Sequence, residues 1–268
     1  MILPSATSLG WLAAATAALA YLAPSALAGL RHTAPHRIAL LPAWLLHGLT
    51  LAWSLLSPAP HFGFAPALSM TVWLVLGIYA VERELFPQMR VRRSLVALSL
   101  LGALAVLGAA LLPGRSLPDS ASAWLPLHLS LGLACYGLFA TALAHAWLMR
   151  RAERQMRQAA ASPSGLPLLT LERLMFRFAG AGFVLLSATL VAGWLFGETL
   201  YGSAWQWNHK AIFALLAWIC FAVLLLGRAR LGWRGRTAAR VLYAGSALLL
   251  LAYVGTRFVL EVILGRSA

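Results

Sequence analysis

Acidic residues are scarce in this chain, and their scarcity limits the chemistry it can perform. Only 10% of its 268 residues are charged and only seven are acidic, whereas roughly 25% of the residues in a soluble domain are charged. Asp119 is the only aspartate and Lys210 is the only lysine. Neither of the hydrolase motifs Gly-x-Ser-x-Gly and His-Glu-x-x-His occurs. We therefore predict that the chain is not an enzyme.

Cysteine is also scarce. The two cysteines, Cys135 and Cys220, both lie in apolar stretches, and no Cys-x-x-Cys pair is present. The sequence therefore predicts neither a disulfide framework nor a thiol-exchange site. We expect both thiols to be structural.

Long apolar stretches are what the chain has in abundance, since 61% of its residues are hydrophobic. About 20 apolar residues in a helix cross the hydrocarbon core of a bilayer, and a spanning backbone must satisfy its own hydrogen bonds. The sequence therefore predicts an all-α, polytopic integral membrane helix bundle of about eight transmembrane helices, in a single transmembrane domain over 1–268. The candidate spans are 8–28, 37–56, 66–82, 95–112, 125–148, 174–196, 209–227 and 239–262.

The chain has a net charge of +14, and its cationic residues are distributed as membrane topology would predict. Of the 21 cationic residues, 17 fall in the segments after the first, third, fifth and seventh spans. This alternation is the positive-inside pattern, and it predicts cytoplasmic arginine-rich segments with both termini outside. We expect these arginines to contact lipid headgroups and not nucleic acid. The sequence 26–28 resembles a signal-peptidase site, but no cationic region precedes it, so we expect the first span to be retained.

One segment combines aromatic, ligating and cationic side chains where the seventh span begins. It reads Trp205-Gln206-Trp207-Asn208-His209-Lys210. A large, flat, anionic cofactor such as haem would need this combination: Trp205 and Trp207 to pack on the porphyrin, and Lys210 to neutralise a propionate. The alternative is an interfacial aromatic belt with one snorkelling cation, which composition alone favours.

Three histidines are candidate ligands, because neutral imidazole binds metals and haem iron. His128 opens the fifth span and His209 opens the seventh, so both are expected at the outer interface. His47 lies near the middle of the second span, where a polar group is costly and indicates function. The alternatives are an interhelical hydrogen bond for His47 and ordinary interfacial positions for His128 and His209.

A last candidate lies on the eighth span. Arg257 and Glu261 are four residues apart, hence on one helix face near the outer end. A guanidinium binds a carboxylate bidentately, so Arg257 is a candidate partner for a propionate. The alternative is a local ion pair between these two residues.

Four blocks of sequence together resemble a known family. They are Leu127-His128-Leu129-Ser130-Leu131-Gly132-Leu133-Ala134-Cys135-Tyr136, Leu171-Glu172-Arg173-Leu174-Met175-Phe176-Arg177, Trp205-x-Trp207-Asn208-x-Lys210 with Ala217-Trp218, and Gly232-Trp233-Arg234-Gly235-Arg236 with Tyr253-x-Gly255-x-Arg257. On these blocks the chain resembles the cytochrome c assembly (CcsA-like) membrane protein family, and within it the smaller YpjD/HemX-type branch. The family-like core is about 125–262, and the first four spans are similar only in hydropathy and in His47.

The resemblance implies a haem-handling protein of the bacterial inner (plasma) membrane that serves cytochrome c maturation or haem trafficking. Its implied partners are haem, apocytochrome c and other cytochrome assembly proteins. In larger relatives, histidines that flank the Trp-rich motif ligate haem at the outer surface, and His128 matches the first of them. No histidine follows the last span, and Asn208 stands where the family prefers aspartate. We predict His209 as the second ligand in its place, with His47 as the other candidate.

The haem is predicted to be b-type and bound non-covalently, because the chain has no Cys-x-x-Cys-His motif. Two alternatives stay open. A small-molecule or ion transporter would need carboxylates or broken helices near mid-membrane, and no acidic residue lies deep in a span. A structural partner of a membrane assembly complex would keep the fold without a cofactor.

Overall fold

The computed structural model describes residues 6–27, 36–56, 61–86, 92–116, 124–157, 166–198 and 207–252. The chain divides into two compact units, one formed by Met1–Leu85 with Val91–Leu117 and the other by Phe86–Arg90 with Pro118–Ala268. Each unit is described separately below. The prediction of a single transmembrane domain over 1–268 stays a prediction.

In the part of the chain that the structure describes, the first unit is a group of four helices with one short strand pair. Helix α1 packs against α2 and α4, and α3 packs against α4. Strands β1 and β2 are antiparallel, with His61 opposite Ser116. The elements are α1 (Ala6–Leu27), α2 (His36–Leu56), β1 (His61–Phe62), α3 (Phe64–Leu85), α4 (Arg92–Leu111) and β2 (Arg115–Ser116).

A pair of indoles joins α2 to α3. The rings of Trp44 and Trp73 stack at a centroid distance of 4.6 Å. Each indole N–H donates to the other residue's backbone carbonyl at 2.9 Å. Both indole N–H groups are therefore hydrogen-bonded within the protein, as helices that span a membrane require.

Within the described residues, the second unit contains four long helices. They are α5 (Leu125–Arg157), α6 (Leu168–Leu195), α7 (His209–Leu231) and α8 (Gly235–Leu250). Phe139 of α5 stacks on Phe221 of α7 at a centroid distance of 3.7 Å. The two rings are buried in one core, where Gly182 and Gly245 allow α6 and α8 to approach them closely.

Side-chain contacts fix the directions of α5, α6 and α7. His145 near the end of α5 stacks on Phe178 near the start of α6. Trp218 of α7 donates to Ser187 in the second half of α6 at 2.8 Å, while Arg228 at the end of α7 reaches Glu172 at the start of α6. Helices α5 and α7 therefore run in one direction and α6 runs in the other.

The predicted polytopic helical membrane architecture is confirmed. Within the described residues, four helical segments are long and apolar enough to cross a membrane, and three shorter apolar helical segments match the first, second and fourth predicted spans. Those four are Phe64–Leu85, His128–Arg157, Leu168–Leu195 and His209–Leu231. The location of the termini and the retention of the first span stay predictions.

Two helices are longer than the apolar stretches that predicted them. Helix α5 continues to Arg157, past the predicted end at 148, and α6 begins at Leu168, before the predicted start at 174. Both extensions bury apolar side chains, among them Ala152 and Leu171. They are amphipathic, so packing stabilises them even though their hydropathy falls below that of a span.

Candidate functional site

His128 lies in the first turn of α5. Its backbone N–H donates to the carbonyl of Trp124 at 3.0 Å, which ties the imidazole position to the start of the helix. The His128 side chain is half-buried, whereas Trp124 is exposed. The imidazole is thus held on a rigid element at one end of the second unit.

Of the predicted Trp-rich segment, residues 207–210 are described, and they lie at the start of α7. Asn208 caps the helix, since its side-chain oxygen accepts from the backbone N–H of Ala211 at 3.0 Å. Asparagine and aspartate are equally good at this position, so Asn208 supplies the cap that an aspartate would supply. Directly around it, Trp207 and His209 are exposed and Lys210 is half-buried.

The structure places His128 and His209 at the same end of the second unit. His128 precedes Phe139 by 11 residues and His209 precedes Phe221 by 12. At about 1.5 Å per residue, the two histidines lie about 16 Å and 18 Å along their helices from the stacked phenylalanines. Because α5 and α7 run in the same direction, both imidazoles lie at similar levels.

His47 lies in the first unit and is fully buried. Its Nδ1 lies 3.1 Å from the Tyr21 hydroxyl on α1, and its Nε2 lies 2.8 Å from the Ser69 hydroxyl on α3. These contacts match the interhelical hydrogen bond that was the alternative for this residue. An iron ligand role would require one of them to break, so the geometry favours the structural role, and ligation by His47 stays an untested prediction.

Two predicted site residues, Trp205 and Arg257, lie outside the described residues. Their proposed contacts with the porphyrin face and with a propionate stay predictions.

The donors at the His128 end are compatible with haem. Across the described part of the chain, no group of three or more His, Cys, Asp or Glu residues could hold a metal ion. Haem iron needs only axial ligands from the protein, and two imidazoles lie at this end. The half-buried ammonium of Lys210 and the N-terminus of α7 both favour negative charge, such as a propionate.

A charged network at the opposite end of the second unit was not predicted. Glu172 of α6 is buried, and its Oε1 accepts from the Arg228 guanidinium at 2.7 Å. Arg234 lies 3.7 Å from the same oxygen. Arg228 also lies over the Phe176 ring and donates to the carbonyl of Trp233. The sequence blocks 171–177 and 232–236 contained Glu172 and Arg234, whereas Arg228 lies in neither block. Nothing in the two blocks indicated that they meet.

Comparison with known proteins gives one family. Residues 36–264 match the family model described as "Cytochrome C assembly protein". This match begins well before the predicted family-like core of 125–262. It does not specify the YpjD/HemX-type branch, which stays a prediction.

Individual relatives match shorter stretches. The chain is 36% identical over 95 residues to a cytochrome c biogenesis protein CcsA of Synechocystis sp., covering 35% of this chain and 28% of the relative. A CcsA of Picosynechococcus sp. is 37% identical over 97 residues, covering 36% and 29%. An uncharacterized 28.8 kDa protein of Azospirillum brasilense is 34% identical over 147 residues, covering 53% and 54%.

The chain therefore spans less than a third of the CcsA relatives and about half of the Azospirillum relative. No solved structure matches it. The family model covers most of the chain, and the resemblance inferred from the four sequence blocks is confirmed: this membrane protein belongs to the cytochrome c assembly protein family.

Proposed function

We propose that this chain is a non-enzymatic factor of the bacterial inner membrane that binds or relays haem for cytochrome c assembly. The observation that carries the proposal is the placement of His128 and the segment 207–210 at one end of the second unit, in a chain of the cytochrome c assembly family. Two relatives are named for cytochrome c biogenesis, which supports apocytochrome c or other assembly proteins as partners.

In this proposal the two imidazoles hold the iron and the surrounding groups orient the macrocycle. Haem, when bound, would supply an iron centre that imidazole nitrogens can ligate. His128, fixed in the first turn of α5, would be the first residue to hold it, and the exposed His209 would be the second. Trp207 would pack against the porphyrin, with Trp205 as a second indole.

Charge complementarity completes the proposed site. Lys210 and Arg257 neutralise the propionates, and the N-terminus of α7 adds a favourable dipole for an anion. Without a Cys-x-x-Cys-His motif, the chain has no place to attach haem covalently. It would therefore hold b-type haem reversibly and pass it on.

The role in cytochrome assembly is tested by deleting the gene in its source bacterium and complementing it. Deletion is expected to lower c-type cytochromes, measured by staining covalent haem after denaturing electrophoresis of membranes. The wild-type gene should restore them, whereas His128→Ala should restore roughly tenfold less or worse, since even outer-shell partners of a metal ligand contribute that much.

The matched control is His61→Ala, which removes an imidazole from β1 in the first unit and should complement fully. Unchanged c-type cytochromes in the deletion strain would contradict the assembly role. Full complementation by His128→Ala, with normal protein levels, would contradict its assignment as ligand.

A further inference from the structure

The end of the second unit opposite His128 carries a dense cationic surface. It is formed by the end of α5, the start of α6, the end of α7 and the start of α8. We call it the arginine-rich end. Its exposed arginines in the described residues are Arg151, Arg154, Arg157, Arg173, Arg177, Arg230, Arg234, Arg236 and Arg240.

The carboxylates near this surface leave its positive charge almost uncompensated. In the described residues of these four helix ends and the turn between α7 and α8, the carboxylates are Glu153 and Glu172. Glu172 is buried and paired with Arg228. Glu153 is half-buried, with its Oε1 facing Gly235. Neither presents an exposed negative charge, so the surface is strongly electropositive.

The turn between α7 and α8 is a rigid support for part of this surface. Gly232 has φ of +64° and ends α7, and the Trp233 N–H donates to the Gly227 carbonyl at 3.0 Å. Arg228 bonds both Glu172 and the Trp233 carbonyl, which ties the turn to α6. Because the backbone is fixed, Arg230, Arg234 and Arg236 are presented without the cost of ordering a loop.

The arginine-rich end lies at the level of lipid headgroups. Helix α5 has 33 residues and is about 50 Å long, whereas the hydrocarbon core is about 30 Å thick. The 22 residues from His128 to Met149 already cover about 33 Å. The arginines from Arg150 onward therefore lie at or beyond the edge of the core.

Exposed apolar side chains accompany these arginines. Leu231 is 70% exposed beside Arg230, and Leu169 is 68% exposed at the start of α6. Trp147 is 53% exposed, and the Arg151 guanidinium lies 5.3 Å from its ring centroid. Cations combined with exposed aliphatic and indole groups suit the boundary between headgroups and acyl chains. A surface that binds a soluble acidic protein would not need these exposed apolar side chains.

We propose that the arginine-rich end is a binding surface for anionic phospholipids, whose phosphodiester groups contact the exposed arginines while their acyl chains cover Leu169 and Leu231. The surface is independent of the proposed haem site, which lies at the other end of the same unit. Binding of phosphodiester groups at the arginine-rich end would hold this end of the protein in the headgroup layer.

The test measures lipid affinity directly. A short-chain fluorescent phosphatidylglycerol is titrated into the detergent-purified full chain and followed by anisotropy, with the phosphatidylcholine analogue for comparison. The wild type should prefer phosphatidylglycerol. Because one arginine near an anionic surface strengthens binding about fivefold, the triple variant R230Q/R236Q/R240Q should bind phosphatidylglycerol about 100-fold more weakly.

The matched control keeps the positive charge at the same three positions, as R230K/R236K/R240K, and should change the affinity less than about threefold, because lysine and arginine attract an anionic surface to a similar degree. Circular dichroism checks that each variant keeps its helices. Equal binding of the two lipids, an unchanged triple variant or an equal loss in the control would each overturn the proposal. So would binding of an acidic peptide, such as poly-glutamate, by a protein that shows no preference for phosphatidylglycerol.

Discussion

Replacing Arg228 by glutamine is expected to lower the free energy of unfolding by about 3 kcal/mol. The change would leave Glu172 buried, and its remaining cationic partner among the described residues would be Arg234, at 3.7 Å. It would also remove the hydrogen bond to the Trp233 carbonyl and the cation–π contact with Phe176. Removing one partner of a buried ion pair is costly because the other charge remains desolvated. The Arg228 side chain is 32% exposed, which places the effect at the low end of such losses.

The measurement is equilibrium unfolding in mixed micelles, followed by circular dichroism. The double variant Glu172→Gln with Arg228→Gln should lose less than the sum of the single variants, because it removes the isolated carboxylate. Arg230→Gln is the matched control and should lie within about 0.5 kcal/mol of the wild type, since Arg230 is exposed. An Arg228→Gln protein as stable as this control would contradict the account of the network.

Replacing Gly227 by alanine is expected to destabilise the protein by about 2 kcal/mol through overpacking. A Cβ at this position would overlap the Trp233 ring, closer than real Cβ contacts allow. Trp233 would have to move, and its N–H bond to the Gly227 carbonyl and the Arg228 bond to its own carbonyl would be strained. The alanine therefore disturbs the turn that joins α7 to α8.

A second glycine supplies the control for this change. Gly180 of α6 has no atom within 4 Å of where its Cβ would lie, so Gly180→Ala should be neutral or should stabilise by up to about 1 kcal/mol through helix propensity. In a Trp233→Ala background, Gly227→Ala should cost little. If Gly227→Ala behaved like Gly180→Ala in the otherwise unchanged protein, the close approach of Trp233 would be wrong.

In the described part of the chain, hydropathy predicted the order of the long helices but not the ends of α5 and α6. A span is recognised by its apolar length, and the segments around Arg154 and Arg173 contain too many charges to be counted. Those segments are helical because one face packs on the core, with Ala152 and Leu171 buried. The periodicity of a short amphipathic extension is a weaker signal than twenty consecutive apolar residues.

The candidate site was likewise predictable from the sequence only in part. The composition of 205–210 and the position of His128 were visible in the sequence because they concern neighbouring residues and span ends. The partners of His47 lie 26 and 22 residues away along the sequence. Arg228, the partner of Glu172, lies 56 residues away from it. Such contacts depend on helix packing, which a single sequence with near-uniform apolar spans does not specify.

The central claim, that haem binds at the His128 end, is tested most directly by visible absorption of the detergent-purified protein. Spectra are recorded oxidised and reduced, with and without added haem. We expect a Soret band with sharp reduced bands that His128→Ala and His209→Ala weaken or abolish. His47→Gln, which keeps a polar group between Tyr21 and Ser69, should leave the bands in place. No bands after haem is supplied, or bands lost only in His47→Gln, would contradict the account.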